Sequence, residues 1–555
     1  MTMRKTSAIG KHEIDQAREE LNRCRAHLAP LRQRMEENER WWQMQNLPMT
    51  QSILRETDGV SGWLFNSVAS KHADAMDNYP SLSVLPREPG DENAANILSA
   101  ILPVILEENG FEAVYDRCWY DKLKNGTGCY GVFWNAEKRG GQGDVEIRAV
   151  DMENLFWEPG VERLSDARYL FYVSQADREE TRRRWPQLRD AALDDPEWTG
   201  VRGEDARRKV AVIDWYYKKR KNGRTILHLC KFTGTTILFA SENEDAFPDG
   251  IYRHGEYPFI LDRLYPVKGS PAGLGLIDRM KGAQRRIDIL QNAITENALE
   301  AVNSRWFIRD SAGINEEEFC DHRNKLVHVS GEVDDGSVKP IRQDALNGNY
   351  LRVLDSAIQE MKEVSGNRDA STGGSGGVTA ASAIAAMQEA GSKLSRDMVR
   401  TTYRAFTDLC TLVIEDIRQF YTGERVFRIT GRTGESAFLQ VGNDFYQALD
   451  SREAVYDIVV RPMKESPYTR LSRNELALQL YKLGLFAESK REEALLCLEM
   501  MDFDGRQEVM GRIRSGLYAL YGTKAVADEG EGVQEPLNRF EETREKARSL
   551  HEVAP

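Results

Sequence analysis

The first forty residues carry apolar side chains at alternating spacings of three and four. These positions are Ile14, Ala17, Leu21, Cys24, Leu28, Leu31 and Met35. Such spacing predicts a helix with one apolar seam and charged residues on its other faces. We expect Pro30 to kink or break this helix, because proline has no amide hydrogen and its ring clashes with the preceding turn. A helix that lies on its own subunit is favoured over an intermolecular coiled coil, for which three heptads are the minimum.

Three more helices are predicted before a change to strands. The helices cover Val60–Met76, Asp91–Asn109 and Phe111–Lys124. Beyond Asn125-Gly126, aromatic and β-branched residues predominate and alternate with polar ones, which is typical of half-buried strands. The predicted strands are Cys129–Trp134, Asp144–Val150 and Tyr169–Ser174.

The clearest local signal lies between Val210 and Phe232. Two alternating runs, Val210–Lys218 and Thr225–Phe232, flank the dipeptide Asn222-Gly223. Asn-Gly supplies the two positive φ angles of a type I′ turn, whose twist matches that of the adjoining strands. The segment is therefore predicted to be a β-hairpin.

The second half of the chain is predicted to be mainly helical. A long helix begins near Leu274, a second covers Tyr350–Val364, and two short strand candidates, Trp306–Ile308 and Leu326–Val329, lie between them. A glycine- and serine-rich loop follows, and after it a proline-free helical stretch runs from Thr379 to Tyr421 with its expected bend at Gly391. Later strands are predicted at Val426–Ile429, Phe438–Val441 and Tyr456–Arg461, and later helices at Arg473–Leu483, Ser489–Leu498 and Gln507–Tyr521. The predicted class is α+β, predominantly helical.

Composition mainly excludes functions. The 555 residues include 88 acidic and 75 basic ones, a net charge of −13. Proteins that bind DNA tightly through its phosphates carry a basic excess, so any contact with DNA is expected to be local or weak. The most apolar run, Ile97–Leu106, is too short to span a membrane, and the charged N-terminus does not resemble a secretory signal. Seven dispersed cysteines without CxxC spacing predict reduced thiols and a cytoplasmic compartment.

Two motifs could carry chemistry, and each has a simpler interpretation. Gly373-Gly374-Ser375-Gly376-Gly377 matches the GxSxG of hydrolases, but polar turn formers precede it where a nucleophile elbow needs an apolar strand. A flexible loop is therefore favoured. Cys320, His322 and His328 lack a fourth ligand at a defined spacing, so surface residues are favoured over a metal site.

Phosphate-binding chemistry is also weakly represented. The basic runs Arg182–Arg184 and Lys218–Lys221 are predicted to be a solvated helix face and a hairpin tip rather than nucleic-acid contacts. Neither a Walker A loop nor an HExxH motif is present. The sequence therefore predicts no enzymatic activity, no cofactor and no metal.

The order of the elements resembles a known family. A helical N-terminus leads into the run Asn125-Gly126-Thr127-Gly128-Cys129-Tyr130-Gly131-Val132-Phe133-Trp134, then Asn154-Leu155-Phe156-Trp157-Glu158-Pro159-Gly160 and a proline-punctuated stretch. After these come helix, small insert, helix, Gly/Ser loop and very long helix. This order resembles the portal (head-to-tail connector) proteins of tailed bacteriophages over roughly residues 46–522.

The resemblance implies a portal fold of wing, stem, clip and crown with a long kinked helix, assembled as a ring. The implied segments are 1–272 (N-terminal helices and α/β wing), 273–303 (stem helix), 304–346 (clip), 347–366 (second stem helix), 367–379 (tunnel loop), 380–421 (long wing helix), 422–472 (β-rich wing return), 473–525 (helical crown) and 526–555 (charged tail). The residues implied to face DNA in the tunnel loop are Arg368, Ser371, Thr372, Gly373, Gly374, Ser375, Gly376 and Gly377.

The resemblance also implies function and partners. The expected protein is a structural dodecameric ring at one capsid vertex, through which double-stranded DNA is packaged and ejected. Implied partners are the large terminase motor, head–tail adaptor and tail proteins, and the major capsid and scaffolding proteins. No membrane contact is implied. The expected location is the virion, after assembly in the host cytoplasm. Alternatives are a non-portal structural adaptor or scaffold of a large assembly, or a nucleic-acid enzyme.

Overall fold

The structure is a computed structural model. It describes residues 9–45, 59–186, 188, 209–221, 223–302, 306–321, 323, 325–332, 334, 336–341, 348–366, 393–430, 436–452 and 455–462, together with the single positions 479 and 495. The chain divides into two compact units, 1–464 and 465–555. All the helices and strands described below belong to the first unit. The predicted helices between residues 473 and 521 lie outside the described residues.

The described helices are α1 (Lys11–Trp42), α2 (Trp63–Asp77), α3 (Glu92–Glu108), α4 (Phe111–Asn125), α5 (Arg178–Arg184), α6 (Leu276–Val302), α7 (Glu316–Cys320), α8 (Asn349–Ser365), α9 (Lys393–Phe420) and α10 (Asn443–Arg452). Most of them match the predictions within a few residues. The described part of the predicted stretch Thr379–Tyr421 is α9, whereas Gly391 and the bend expected there lie outside the described residues. Helices α7 and α10 were not predicted.

The described strands are β1 (Pro80–Pro86), β2 (Thr127–Asn135), β3 (Asp144–Ala149), β4 (Leu155–Trp157), β5 (Tyr169–Asp177), β6 (Lys209–Lys221), β7 (Arg224–Thr233), β8 (Thr236–Ala240), β9 (Phe259–Arg263), β10 (Tyr265–Pro266), β11 (Gly273–Leu274), β12 (Trp306–Ile308), β13 (Val338–Pro340), β14 (Arg425–Thr430), β15 (Ser436–Val441) and β16 (Tyr456–Pro462). They form a five-stranded sheet in the order β4-β5-β6-β7-β8, a three-stranded sheet β3-β2-β9, and four two-stranded sheets. Helices and strands together confirm the α+β class.

One hydrophobic core joins α1 to the five-stranded sheet. The seam residues Ile14, Leu21 and Cys24 are fully buried and share a cluster with strand residues such as Phe171 and Phe232. The helix therefore lies on its own subunit, as expected. Pro30 does not break it, because α1 is one continuous helix from Lys11 to Trp42. Pro30 lies on the exposed face, where water can bond the carbonyl that loses its partner, while packing holds the buried face on both sides.

A second core brings α2, α3, α4 and α9 together with the three-stranded sheet. Its largest fully buried side chains include Phe111, Tyr115 and Trp119 of α4. They lie at spacings of four, which places them on one face of the helix. Helix α9 contributes Phe406, buried against Phe111 with ring centroids 5.4 Å apart. The helix that follows the Gly/Ser-rich run is thus part of this core.

The hairpin prediction is confirmed and one strand prediction is wrong. Strands β6 and β7 pair from Lys221↔Arg224 to Ile213↔Phe232, and Gly223 in the turn has φ +81°. In contrast, Leu326–Val329 is not a strand, since only Val329 makes an isolated bridge. The partner of β12 is β13 instead. A four-residue apolar run cannot reveal which segment it will pair with.

Candidate functional site

The region that the resemblance singles out is built on two paired helices, α6 and α8, and the insert between them. The start of α6 is held by Asp278. One oxygen of this carboxylate accepts a hydrogen bond from the amide of Gly275 at 2.8 Å, and the other accepts one from the Nδ2 of Asn38 at 3.0 Å. The guanidinium of Arg34 lies 3.7 Å from the same carboxylate and donates to the carbonyl of Gly273 at 2.7 Å. Helix α1 therefore sets where α6 begins.

Close backbone packing fixes the same junction. Gly126, between α4 and β2, has φ +87°, and a Cβ there would lie 2.2 Å from the carbonyl carbon of Leu274. A Cβ on Gly275 would lie 2.3 Å from the carbonyl oxygen of Lys124. The hydroxyl of Thr127 accepts a hydrogen bond from the amide of Gly273 at 2.8 Å. Only residues without a Cβ allow these two chain segments to approach so closely.

About two to three turns beyond Asp278, α6 is fixed to the segment before α2. The buried Asp288 accepts hydrogen bonds from the amide and the hydroxyl of Ser61 at 2.9 and 2.7 Å. The buried Gln284 accepts from the amide of Leu64 at 2.9 Å and donates to the carbonyl of Ser61 at 2.8 Å. These bonds satisfy backbone groups at the start of α2, which have no partner within their own helix.

Helix α8 packs on α6 with one face and leaves the other open. Ala357 and Met361 are buried, and Glu360 forms an ion pair with Arg286 of α6. The side chains of Leu351 and Val353 are more than half exposed in the isolated chain. A helix with apolar side chains outside its packed face is typical of one that contacts another protein surface.

The insert between the helices has almost no core of its own. Within its described residues, only Ala312 and Ser337 are buried, while Phe307 is 66% and Leu326 is 75% exposed. Its framework is the β12–β13 pair and the bridge from Ile314 to Val329. So small a segment cannot bury apolar area within itself, and its exposed side chains favour an interface.

Two of the three suggested metal ligands, Cys320 and His328, lie among the described residues. Cys320 is exposed, and the Nδ1 of His328 lies 2.7 Å from the Oε2 of Glu318. That carboxylate also accepts a hydrogen bond from the backbone amide of His328, and the hydrogen bonds from His328 lower the pKa of Glu318. His322 lies outside the described residues. Among the residues described, no group of three or more His, Cys, Asp or Glu side chains could hold a metal ion.

The two basic runs lie on a helix and at a hairpin tip, as predicted from the sequence. Arg182–Arg184 are exposed on α5, and Lys218–Lys221 run to the tip of the β6–β7 hairpin. In the tunnel-loop segment, Arg368 and the residues from Ser371 to Gly377 lie outside the described residues. Within the described part of the chain, no helix is long and apolar enough to cross a membrane.

The sequence did not reveal a buried ionic network that holds α9. The ammonium of Lys122 is fully buried and donates to the Oδ1 of Asp262 at 2.8 Å and to the hydroxyls of Thr401 and Thr402 at 2.8 and 2.6 Å. It also lies 3.0 Å from the carbonyl oxygen of Met398. Burial lowers the pKa of Lys122, and the charge of Asp262 opposes that shift.

A signal for this network is present in the sequence. Lys122 continues the apolar face of α4 set by Phe111, Tyr115 and Trp119, at a spacing of three from Trp119. A lysine on an apolar face needs a buried partner. Its partner, Asp262, is on β9, and pattern alone does not connect residues 140 apart.

The comparisons identify the family. A family model described as "Phage P22-like portal protein" matches residues 18–547. Since the match covers nearly the whole chain, the chain belongs to the P22-like portal protein family. Proteins of this family are structural, and the chain is a structural head-to-tail connector of a phage virion.

Solved structures and curated proteins add little to that assignment. Among solved structures, the chain is similar to one described as "Virion of native gene transfer agent (GTA) particle", at 12% identity and with a TM-score of 0.37. The alignment covers 86% of this chain and 98% of that chain. No curated protein matches the chain. The family match alone carries the assignment.

Proposed function

We propose that twelve copies of this chain form a closed ring at one capsid vertex, and that double-stranded DNA enters and leaves the capsid through its centre. Family membership is the observation that carries this proposal. The open apolar surface supports it, since α8 and the insert expose Leu351, Val353, Phe307 and Leu326 in the isolated chain. Neighbouring copies in a ring would cover side chains that water now surrounds.

The proposed parts of the ring follow the segments inferred from the sequence. Helices α6 and α8 are the stem, and residues 304–346 are the clip. Residues 1–272 and 380–472 are the wing, 367–379 the tunnel loop, 473–525 the crown and 526–555 a charged tail. The pairing of α6 with α8 and the position of the coreless insert between them support the stem and clip assignments.

The tunnel loop is proposed to surround the passing duplex without gripping it. Arg368 is its only cation, Asp369 adjoins it, and the hydroxyls of Ser371, Thr372 and Ser375 offer weak hydrogen bonds. Each phosphate paired with a basic side chain adds affinity, which would slow a sliding polyanion. Replacing Gly374 and Gly376 by proline should stiffen the loop and reduce DNA packaging or retention, while rings still form. Wild-type packaging and retention by that variant would contradict the proposed role.

The proposed partners are those of a portal vertex: the large terminase motor, head–tail adaptor and tail proteins, the major capsid protein and the scaffolding protein. Assembly is proposed to take place in the host cytoplasm. The ring itself is proposed to have no catalytic role, since packaging energy would come from the separate motor. Purified protein should therefore lack ATPase, nuclease and esterase activity, and activity abolished by Ser375→Ala would overturn this part.

Electron microscopy of the purified protein tests the ring directly. We expect closed rings of twelve subunits with a central hole. The double variant Phe307→Ser/Leu326→Ser should have the same circular dichroism spectrum as the unmodified chain, which shows that the subunit folds. It should form few rings, because the substitutions remove exposed apolar side chains from the insert. Glu316→Ser/Lys325→Ser, which changes exposed charged residues of the same insert, is the matched control. Open or irregular assemblies from the unmodified chain would favour an adaptor or scaffold instead.

Deleting residues 305–342 tests the clip assignment. The packed helices α6 and α8 allow the gap to be closed by a short linker, so the subunit should fold. Ring assembly and motor docking should be impaired. A deletion variant that assembles and packages normally would refute the assignment of this insert as the clip.

A further inference from the structure

Helix α9 carries two hydroxyl side chains that each lie between a lysine and an aspartate of other elements. Thr402 lies between Lys122 and Asp262, and this set is called the inner clamp. Ser395 lies between Lys71 and Asp74, and this set is called the outer clamp. In both, the hydroxyl accepts a hydrogen bond from the ammonium and donates one to the carboxylate.

The inner clamp is sealed from water. The Thr402 hydroxyl lies 2.6 Å from the Nζ of Lys122 and 2.5 Å from the Oδ2 of Asp262. Its three members are at most 2% exposed. Breaking it would leave a charged pair buried without its bridging hydroxyl, which is costly in a medium of low dielectric constant.

The outer clamp has the same bonds at the edge of the solvent. The Ser395 hydroxyl lies 2.9 Å from the Nζ of Lys71 and 2.8 Å from the Oδ2 of Asp74. The Lys71 side chain is 2% exposed, but that of Asp74 is 45% exposed. Water can therefore replace the serine on the carboxylate, and this clamp opens at a lower cost than the inner one.

The spacing of the two hydroxyls fixes the register of α9. Ser395 and Thr402 are seven residues apart, two turns of a helix, and so lie on one face. A shift of one turn in either direction would bring Met398, Val399, Ala405 or Phe406 to the inner clamp, and none of these has a side-chain hydrogen-bonding group to offer. The buried pair of Lys122 and Asp262 would then lose its bridging hydroxyl.

We propose that Ser395 and Thr402 are positioning residues that lock α9 in register, and that the outer clamp releases the first turn of the helix while the inner clamp holds the rest. The boundary lies at Met398, whose carbonyl oxygen is bound by Lys122. Residues 393–397 form the releasable turn and residues from 401 onward the fixed part. Both clamps are contacts within one chain and go beyond the proposed ring, so this proposal can be tested independently of ring formation.

Amide hydrogen exchange of the full-length protein, read by mass spectrometry, tests the proposal. Ser395→Ala should speed exchange at the amides of residues 397–401, which bond the carbonyls of residues 393–397, about tenfold. Exchange at residues 403–420 should stay unchanged, because only one hydrogen-bonded bridge at the solvent edge is lost. Thr402→Val should speed exchange on both sides of residue 402 and lower the unfolding temperature. Ser395→Thr, which keeps the hydroxyl, should retain the wild-type pattern.

Thr411→Ala is the matched control. Thr411 is exposed on the same helix, and its hydroxyl donates to the carbonyl of Thr407 at 2.9 Å without reaching another element. It should leave exchange at residues 394–406 unchanged. The proposal is overturned if Ser395→Ala leaves exchange at residues 397–401 unchanged, if its effect spreads equally to residues 403–420, or if Ser395→Thr has the same effect as Ser395→Ala.

Discussion

Replacing Lys122 by methionine should destabilise the protein by several kcal/mol at neutral pH. The ammonium of Lys122 is fully buried and lies 2.8 Å from the carboxylate of Asp262, which is 2% exposed. Methionine has a similar length and no charge, so Asp262 would be left as a buried carboxylate that keeps its hydrogen bond from Thr402. Removing one member of a buried ion pair costs about 3–5 kcal/mol.

The cost of the Lys122→Met substitution should depend on pH, because the stranded carboxyl group can take up a proton. An aspartate in the unfolded chain has a pKa near 3.9, and keeping Asp262 protonated costs about 1.4 kcal/mol for each pH unit above that value. Burial without a counter-charge favours the neutral form of a carboxyl group, so the variant should be more stable at low pH and should lose that stability as pH rises. Lowering the pH from 8.0 to 5.5 should therefore recover part of the lost stability.

The Asp262→Asn variant should show the opposite pH dependence. It leaves Lys122 buried without a counter-charge, and burial already lowers the pKa of this lysine in the native protein. The cost of burying the charge is avoided only if the lysine releases its proton, which becomes easier as pH rises towards the unfolded pKa of about 10.4. Raising the pH from 5.5 to 8.0 should therefore recover part of the lost stability in this variant.

Urea unfolding at pH 5.5 and 8.0, followed by tryptophan fluorescence, measures both effects. The control is Lys124→Met on the same helix: its ammonium is 2.6 Å from the carboxylate of Glu39, which is 40% exposed, so its loss should cost at most about 1 kcal/mol. Replacing both charges, as in Lys122→Met/Asp262→Leu, should recover most of the lost stability. The reasoning is refuted if Lys122→Met costs less than the control, or if the two single variants respond to pH in the same direction.

Three further predictions use the same unfolding measurement. Gly126→Ala should lower the free energy of unfolding by at least about 2 kcal/mol more than Gly160→Ala. The two glycines have φ values of +87° and +86°, but only a Cβ on Gly126 would collide with Leu274. Equal losses of stability would disprove the steric argument. Burial raises the pKa of Asp121 to about 6, so its contribution to stability is present below about pH 4 and lost as pH rises through 6. Asp121→Asn should therefore stabilise the protein by up to about 3 kcal/mol at pH 8 and not at pH 4, and a gain of equal size at both would contradict this. Leu21→Ala should cost about 2–5 kcal/mol if α1 is docked on its own sheet, and a loss below 1 kcal/mol would argue against that packing.

The local elements could be predicted because they depend on neighbouring residues. The period of the apolar positions determines α1, and Asn222-Gly223 determines where the β6–β7 hairpin turns. Both signals act over a few residues, where backbone sterics and side-chain periodicity are sufficient. The order of such elements was also sufficient to indicate the portal family, which the family match confirmed. The segment boundaries and the DNA-facing role of Arg368 to Gly377 stay predictions.

Tertiary structure decided the contacts between distant segments. Strand β1 pairs with β16 along its full length, with Pro80 opposite Pro462, although neither the order nor the period of residues in either strand points to the other. The same holds for Lys122 and Asp262, whose partnership depends on how α4 packs against β9. Pro30 is tolerated inside α1 because it lies on the exposed face and the buried seam of that helix packs on the five-stranded sheet. The amino-acid pattern determines which faces must be buried, whereas the choice among possible partners depends on the free energy of the whole packed chain.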